Sequence, residues 1–80
     1  MEITVKYFGI IADITQKKEE VFFIDENSNS IKKLQSKLEI KYPKILVIKY
    51  LVSINKKFLQ NDFLLEKDDE IALLPPFAGG

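Results

Sequence analysis

The 80-residue sequence contains no cysteine, no histidine and no arginine, and all twelve of its basic residues are lysine. Without cysteine, the chain can form no disulfide, thiolate zinc site or cysteine nucleophile. Without histidine, it lacks the side chain that most often performs general acid–base catalysis. Without arginine, it lacks the fork that recognises phosphate and guanine in a bidentate manner. We therefore expect no metal site and no self-contained catalytic centre.

Charge is balanced, with 12 basic and 12 acidic residues. A nucleic-acid-binding protein normally has a basic excess, so we expect no nucleic-acid partner. No apolar run approaches the ~20 residues of a membrane span, and no charged-then-apolar leader opens the chain. We therefore expect no membrane partner and a cytoplasmic protein.

Alternation of apolar and polar residues predicts strands. In the first predicted strand, Ile3, Val5 and Tyr7 share one face, and Phe8 is a large ring on the otherwise polar face. In the last, Ile71 and Leu73 point inward, and Ala72 and Leu74 point outward. The predicted strands cover residues 1–8, 18–25, 50–55, 58–60 and 70–74.

One amphipathic helix follows the second predicted strand. Ile31, Leu34 and Leu38 form its apolar stripe, and lysines occupy the opposite side. Ser28 or Ser30 can cap its start, and Pro43 ends it. A separate short helical turn is predicted for residues 10–14.

The order strand, strand, helix, strand, short strand, strand predicts an α+β fold. It fits a β-grasp (ubiquitin-like) roll, with a mixed sheet of four to five strands and one main helix packed across it. In this arrangement the first and last strands are parallel neighbours at the centre. We assign residues 1–74 to this domain and residues 75–80 to an extended tail.

The tail reads PPFAGG. Pro75 and Pro76 offer no N–H to a sheet and favour an extended course, so the last strand must end before them. Beyond Leu74 we expect no core contact. Residues 75–80 can span roughly 20 Å when extended. Most chain ends are frayed and without function, which is the alternative interpretation.

The end of this tail is narrow. Ala78, Gly79 and Gly80 add little width, so the tail can enter a narrow channel and deliver the Gly80 carboxylate to a remote active site. Phe77 is expected to contact a partner, because the tail itself provides no core for its ring.

A docking surface is predicted beside the tail. Phe8 closes the first strand and Leu74 closes the last, so both should lie on the outward face near the start of the tail. Phe58, on the short fourth strand, can extend this apolar patch or belong to the core. An exposed apolar patch of this kind typically marks an interface.

Three segments carry a resemblance to a known family: "DDEIALLPPFAGG", "VSINKKFL" and "KYFGIIADIT". Together they resemble the MoaD-type small subunits of molybdopterin synthase, which are ubiquitin-like sulfur carriers. Two features depart from the family. Asp68 stands where the family usually has glycine, in a turn that aspartate can also form. Residues 45–50 look shorter than in some relatives.

The resemblance implies a mechanism and partners. An E1-like adenylyltransferase would activate the Gly80 carboxylate with Mg-ATP, and a sulfur donor would convert it to a thiocarboxylate. The large synthase subunit, in a heterotetramer, would then pass the sulfur to cyclic pyranopterin monophosphate during molybdenum cofactor biosynthesis. The chain itself would bind no cofactor and would act as a sulfur-donating subunit without catalytic groups of its own.

Other functions remain open at this level. Sulfur carriers for thiazole synthesis or tRNA thiolation also end in Gly-Gly, although Pro75-Pro76 favours the molybdopterin branch. A ubiquitin-like modifier would attach Gly80 to lysines of target proteins. A simple interaction module would tolerate loss of Gly80.

Overall fold

The computed structural model describes residues 1–59 and 61–76. Within these residues the chain forms five strands, two α-helices and two short 3₁₀ turns. The strands are β1 (Glu2–Tyr7), β2 (Glu19–Phe23), β3 (Leu51–Ile54), β4 (Lys57–Phe58) and β5 (Glu70–Leu74). The α-helices are α1 (Ile10–Thr15) and α2 (Ile31–Lys41), and the 3₁₀ turns are Glu26–Ser28 and Pro43–Val47.

The strands form one mixed sheet in the order β2-β1-β5-β3-β4. β1 and β5 run parallel at the centre, and the other pairs are antiparallel. The β-grasp fold and its central parallel pair are therefore confirmed. The β3–β4 hairpin turns at Asn55 and Lys56, which both have positive φ (51° and 71°), as the tight turn of a twisted hairpin requires.

Helix α2 packs its apolar stripe onto one face of the sheet. Ile31, Leu34 and Leu38 are all buried, as predicted from their spacing. Ser30 caps the helix, because its hydroxyl oxygen accepts a hydrogen bond from the N–H of Lys33 at 3.2 Å. The sheet contributes the alternating residues of the strands to this core: Ile3, Val5, Tyr7, Val52, Ile54, Ile71 and Leu73.

The segment before β5 is held at the start of α2 by the buried side chain of Leu65 and by hydrogen bonds. Leu65 is 1% exposed and belongs to the core. Its N–H donates to the carbonyl of Asn29, and the amide of Asn29 donates back to its carbonyl, both at 2.8 Å. The sequence pattern did not identify Leu65 as core, because no strand surrounds it and periodicity has nothing to act on.

Some predicted boundaries differ from the structure. The third strand is shorter than residues 50–55, and the fourth is Lys57–Phe58 instead of 58–60; Gln60 lies outside the described residues. Ala72 lies on the face opposite α2, as predicted, yet it is only 9% exposed. It pairs with Lys6 on one side and Ser53 on the other, so longer neighbours cover its single methyl group.

A charged cluster fastens β2 to the end of α2. The Glu20 carboxylate accepts hydrogen bonds from the hydroxyls of Tyr7 and Tyr42, each at 2.8 Å, and from the ammonium groups of Lys17 and Lys41. Desolvation alone would raise the pKa of this carboxyl group. The hydrogen bonds, led by those from Lys41 and Tyr42, outweigh it and lower the pKa of Glu20 to about 2.

We expect the stabilisation from Glu20 to disappear in acid. Because its folded pKa of about 2 lies below the ordinary 4.5, the contribution is present above pH 4.5 and is lost as pH falls toward 2. Glu20→Gln should lower the free energy of unfolding by about 1.5–3 kcal/mol near neutral pH. The difference from the unsubstituted chain should shrink below pH 4.5, measured by urea unfolding across a pH series.

Glu19→Gln is the matched control, because it removes the same charge from an exposed position one residue earlier on β2. Equal losses in the two variants would show that net charge, and not the cluster, is responsible.

The acidic turn before β5 forms although Asp68 stands where the family usually has glycine. The Asp69 N–H donates to the carbonyl of Glu66 at 3.1 Å, which closes the turn. The Asp69 carboxylate also accepts from the Glu66 N–H at 2.8 Å and from the Asn55 amide at 2.9 Å. Asp68, at the third position of the turn, has a φ of 70°. Positive φ at this position is the mark of a type II turn, which favours glycine.

We expect Asp68→Gly to raise the free energy of unfolding by up to about 1 kcal/mol, because left-handed backbone strains an L-residue but not glycine. Asp68→Val should instead lower it by about 1–2 kcal/mol, since a β-branched residue resists positive φ. Chemical denaturation of both variants measures the difference. The same sign for both would contradict this turn geometry.

Candidate functional site: the open sheet face and the root of the tail

The face of the sheet opposite α2 carries an apolar depression. Its volume is about 350 Å³, and its walls include Phe8, Phe58 and Leu74. The structure therefore brings together the three residues that the sequence proposed for docking. Phe58 is 64% exposed, which excludes the alternative that it belongs to the core.

Strand register explains this convergence. Tyr7 pairs with Leu73 in the parallel ladder, and the Phe8 N–H donates to the Leu73 carbonyl at 3.2 Å. Phe8 and Leu74 are the next residues of the two strands, so they lie side by side at the end of the ladder. Ser53 pairs with Phe58, which places the Phe58 ring on the same face from the β4 side.

Leu51 adds a residue that the sequence analysis missed. It pairs directly with Leu74, and it is 39% exposed. Since Val52 is buried, alternation places Leu51 on the open face. The same alternation along the third predicted strand could have identified it. We call Phe8, Leu51, Phe58 and Leu74 the apolar patch.

A few charged side chains surround the apolar patch. Lys6 and Glu70 line the depression and form an ion pair at 3.2 Å, with side chains 37% and 40% exposed. Such an exposed pair is screened by water and contributes little to stability. Lys56 also lines the depression. A partner would therefore meet apolar side chains at the centre and a polar rim around them, which is typical of a protein interface.

The root of the tail is packed against the body of the protein. Pro75 is buried, and its ring lies against Gly9, the residue between β1 and α1. The sequence did not predict this contact within the domain, although Gly9 itself is exposed and does not belong to the core. Sequence periodicity could not show this contact, because it joins the two ends of the chain. Pro76 is exposed.

The remaining tail residues were predicted to be functional but lie outside the described residues. They are Phe77, Ala78, Gly79 and the proposed reactive residue Gly80. Their roles stay predictions.

Titratable groups with displaced pKa values lie on the helix side of the sheet. Burial, helped by a hydrogen bond to Glu39, raises the pKa of Tyr50 to about 12. Burial and the hydrogen bond to Glu20 raise the pKa of Tyr7. Both tyrosines stay protonated and serve as hydrogen-bond donors. They lie in the contact between sheet and helix, and neither lines the depression.

Residues 1–59 and 61–76 contain no group of three or more acidic, cysteine or histidine side chains that could hold a metal ion. In the same residues, no helix is long and apolar enough to cross a bilayer. The open face offers an apolar depression with charged side chains at its rim.

The fold and the site define a class: a β-grasp domain with an apolar open face beside a proline-anchored C-terminal tail. Comparison with known proteins agrees. The sequence matches the ThiS family over residues 5–80, so the chain belongs to this family of ubiquitin-like sulfur carriers.

Solved structures show the same relationship. The chain is similar to one in the protein–protein complex of subunits 1 and 2 of molybdopterin-converting factor from Helicobacter pylori, with 34% identity, full coverage of both chains and a TM-score of 0.69. It is also similar to a putative molybdopterin converting factor subunit 1 from Pyrococcus furiosus, with 17% identity, coverage of 95% and 98%, and a TM-score of 0.85. SAMP1 from Haloferax volcanii shares 19% identity and full coverage at a TM-score of 0.81. The latter two likenesses concern the fold alone.

Proposed function

We propose that this chain is the sulfur carrier subunit of molybdopterin synthase. The observation that carries the proposal is the 34% identity, over the full length of both chains, to a chain of the Helicobacter pylori molybdopterin-converting factor complex. The Pro75-Pro76 pair, placed before the last four residues, also favours this branch over other sulfur carriers.

The chemistry takes place at the Gly80 carboxylate. A carboxylate is a poor electrophile, so an E1-like partner first joins one of its oxygens to the α-phosphorus of Mg-ATP and releases pyrophosphate. A hydrosulfide equivalent from the sulfur donor then attacks the carbonyl carbon. The C–O bond to AMP breaks, AMP leaves with the electron pair, and a thiocarboxylate remains. No oxidant or reductant is needed for this exchange.

Catalytic groups come from partners in this proposal. The chain has neither histidine nor cysteine. Tyr7, Glu20 and Tyr50, whose pKa values are displaced, form hydrogen bonds in the contact between the sheet and the helix. The large synthase subunit would bind the charged carrier in a heterotetramer. It would provide the pocket where sulfur passes to cyclic pyranopterin monophosphate.

The apolar patch is the surface that we assign to these partners. It lies beside the buried root of the tail, so a protein that covers it also meets the start of Pro75–Gly80. Because Phe8 precedes Gly9, the docking surface and the tail contact are adjacent in the chain as well as in space.

We expect the chain, incubated with its E1-like partner, Mg-ATP and a sulfur donor, to exchange one oxygen atom for sulfur. Intact mass spectrometry detects the change, and fragmentation should place it on Gly80. Deletion of Gly80 should abolish the gain, because the next carboxylate lies one residue short of the reactive position. Addition of the large subunit and pyranopterin substrate should then discharge the carrier.

Other outcomes identify other functions. Discharge only to a thiazole precursor or to tRNA would assign the chain to another sulfur pathway. Isopeptide conjugates to lysines, without thiocarboxylate, would assign it to protein modification. No mass gain with a demonstrably active partner would refute the carrier proposal.

We expect Phe8→Glu or Leu74→Glu to weaken binding to the large subunit by about 10- to 100-fold, because a charge would be desolvated at the centre of the interface. Isothermal calorimetry measures the affinity, and thermal unfolding checks that each variant is folded. Phe58→Glu should act in the same direction, since this ring is 64% exposed and lines the same depression.

Val47→Glu is the matched control. Val47 is 85% exposed in the 3₁₀ turn after α2, so the same type of substitution falls outside the patch. Unchanged affinity of the patch variants, or an equal loss in Val47→Glu, would remove the patch from the interface.

A further inference from the structure

The turn between β1 and α1 has a backbone that only glycine adopts readily. Gly9 has φ 58° and ψ −135°, a combination that excludes most L-residues. Its carbonyl accepts hydrogen bonds from the N–H groups of Ala12 at 3.0 Å and Asp13 at 3.3 Å, which begin α1. Gly9 is therefore held in place by the helix that follows it.

The same glycine allows close approach of the tail. A Cβ atom built on Gly9 would lie 2.7 Å from Cγ and 3.5 Å from Cδ of Pro75. Real Cβ atoms essentially never come as near as the first of these distances. The proline ring is buried, so it occupies the space that a side chain at position 9 would need.

Both sides of this contact are rigid. Pro75 follows directly after β5, and its own ring fixes φ. Gly9 lies one residue beyond Phe8, whose N–H is bonded to the Leu73 carbonyl at 3.2 Å. A side chain at position 9 therefore cannot be accommodated by movement of Gly9 alone. Pro75, and with it the start of the tail, must then shift.

The direction of the chain at Pro75 sets where the residues that lead to Gly80 begin. The residues after Pro75 span at most roughly 17 Å when extended. Misplacement of a reacting atom by about 1 Å can already cost about 100-fold in rate.

We propose that Gly9 is a positioning residue for sulfur transfer: by leaving room for Pro75, it sets the direction in which the tail leaves the domain. This inference rests on the proposed function, in which Gly80 must reach partner active sites. The contact also connects partner binding with the position of the tail. A partner that binds Phe8 would hold the neighbouring Gly9 and, through Gly9, the start of the tail at Pro75.

The test is a double-mutant cycle of Gly9→Ala, Pro75→Ala and the combined variant, assayed for thiocarboxylate formation by the E1-like partner. Gly9→Ala should lower kcat by about 10- to 100-fold and leave KM nearly unchanged, since the apolar patch is intact. Adding Gly9→Ala to Pro75→Ala should cost much less, because the Cγ and Cδ atoms that clash are gone. The backbone strain of alanine at position 9 is present in both backgrounds, so the coupling isolates the contact.

A second readout needs no partner. The chain has no cysteine, so Lys18→Cys, beside Phe8 and Gly9, accepts a single spin label. Gly9→Ala should change the paramagnetic broadening of the Gly79 and Gly80 amide signals, and should change it little when Pro75→Ala is already present. If Gly9→Ala fails to fold, Pro75→Ala against the exposed Pro76→Ala decides the question. The buried proline should then have the larger effect on broadening and on kcat.

The outcomes separate this inference from the proposed function. Equal effects of Gly9→Ala in both backgrounds, or unchanged broadening, would overturn the positioning role even if sulfur is transferred. An equal or larger effect of Pro76→Ala would overturn it as well. If the unsubstituted chain gains no sulfur, the proposed function fails, and the broadening experiment still decides whether Gly9 directs the tail.

Discussion

The parallel pairing of β1 with β5 is the interaction on which the rest of the structure depends. It joins the beginning of the chain to its end at the centre of the sheet. One consequence is a core: Ile3 and Val5 meet Ile71 and Leu73 under α2. The other is a site, because the strand ends that leave this ladder carry Phe8 and Gly9 on one side and Leu74 and Pro75 on the other. Parallel strands need a long connection between them, and here nearly the whole chain provides it.

The two faces of the sheet have separate tasks. The helix side holds the buried apolar residues and the polar cluster around Glu20, where hydroxyl and ammonium groups tie β2 to the end of α2. The open side presents Phe8, Phe58 and Leu74 around a depression, with Leu51 paired beside Leu74. The titratable groups with displaced pKa values stay on the helix side, so they stabilise the domain. Under the proposed function, the chain needs a docking surface and a reactive end, and its partners supply the catalytic groups.

Much of the fold and part of the site could be predicted from local patterns. The stripe of Ile31, Leu34 and Leu38, the Ser30 cap and the alternation in β1 and β5 are all confirmed. Phe8 and Leu74 were expected to meet because the order of elements implies neighbouring strands. Leu65, the cluster around Glu20 and the contact of Pro75 with Gly9 were not expected. Each of these joins segments far apart in the chain, where periodicity carries no information.

The sequence by itself determined the class of fold, the place where the sheet must end and the absence of thiol and imidazole chemistry, because alternation, proline and composition are local properties. Only the tertiary structure decided which apolar residues share the open face and how the tail begins. Phe58 joined the apolar patch through β4 pairing, and Ala72 was covered by its cross-strand neighbours. The role proposed for Gly9 depends on Pro75, since a missing Cβ matters only where another part of the chain fills its space.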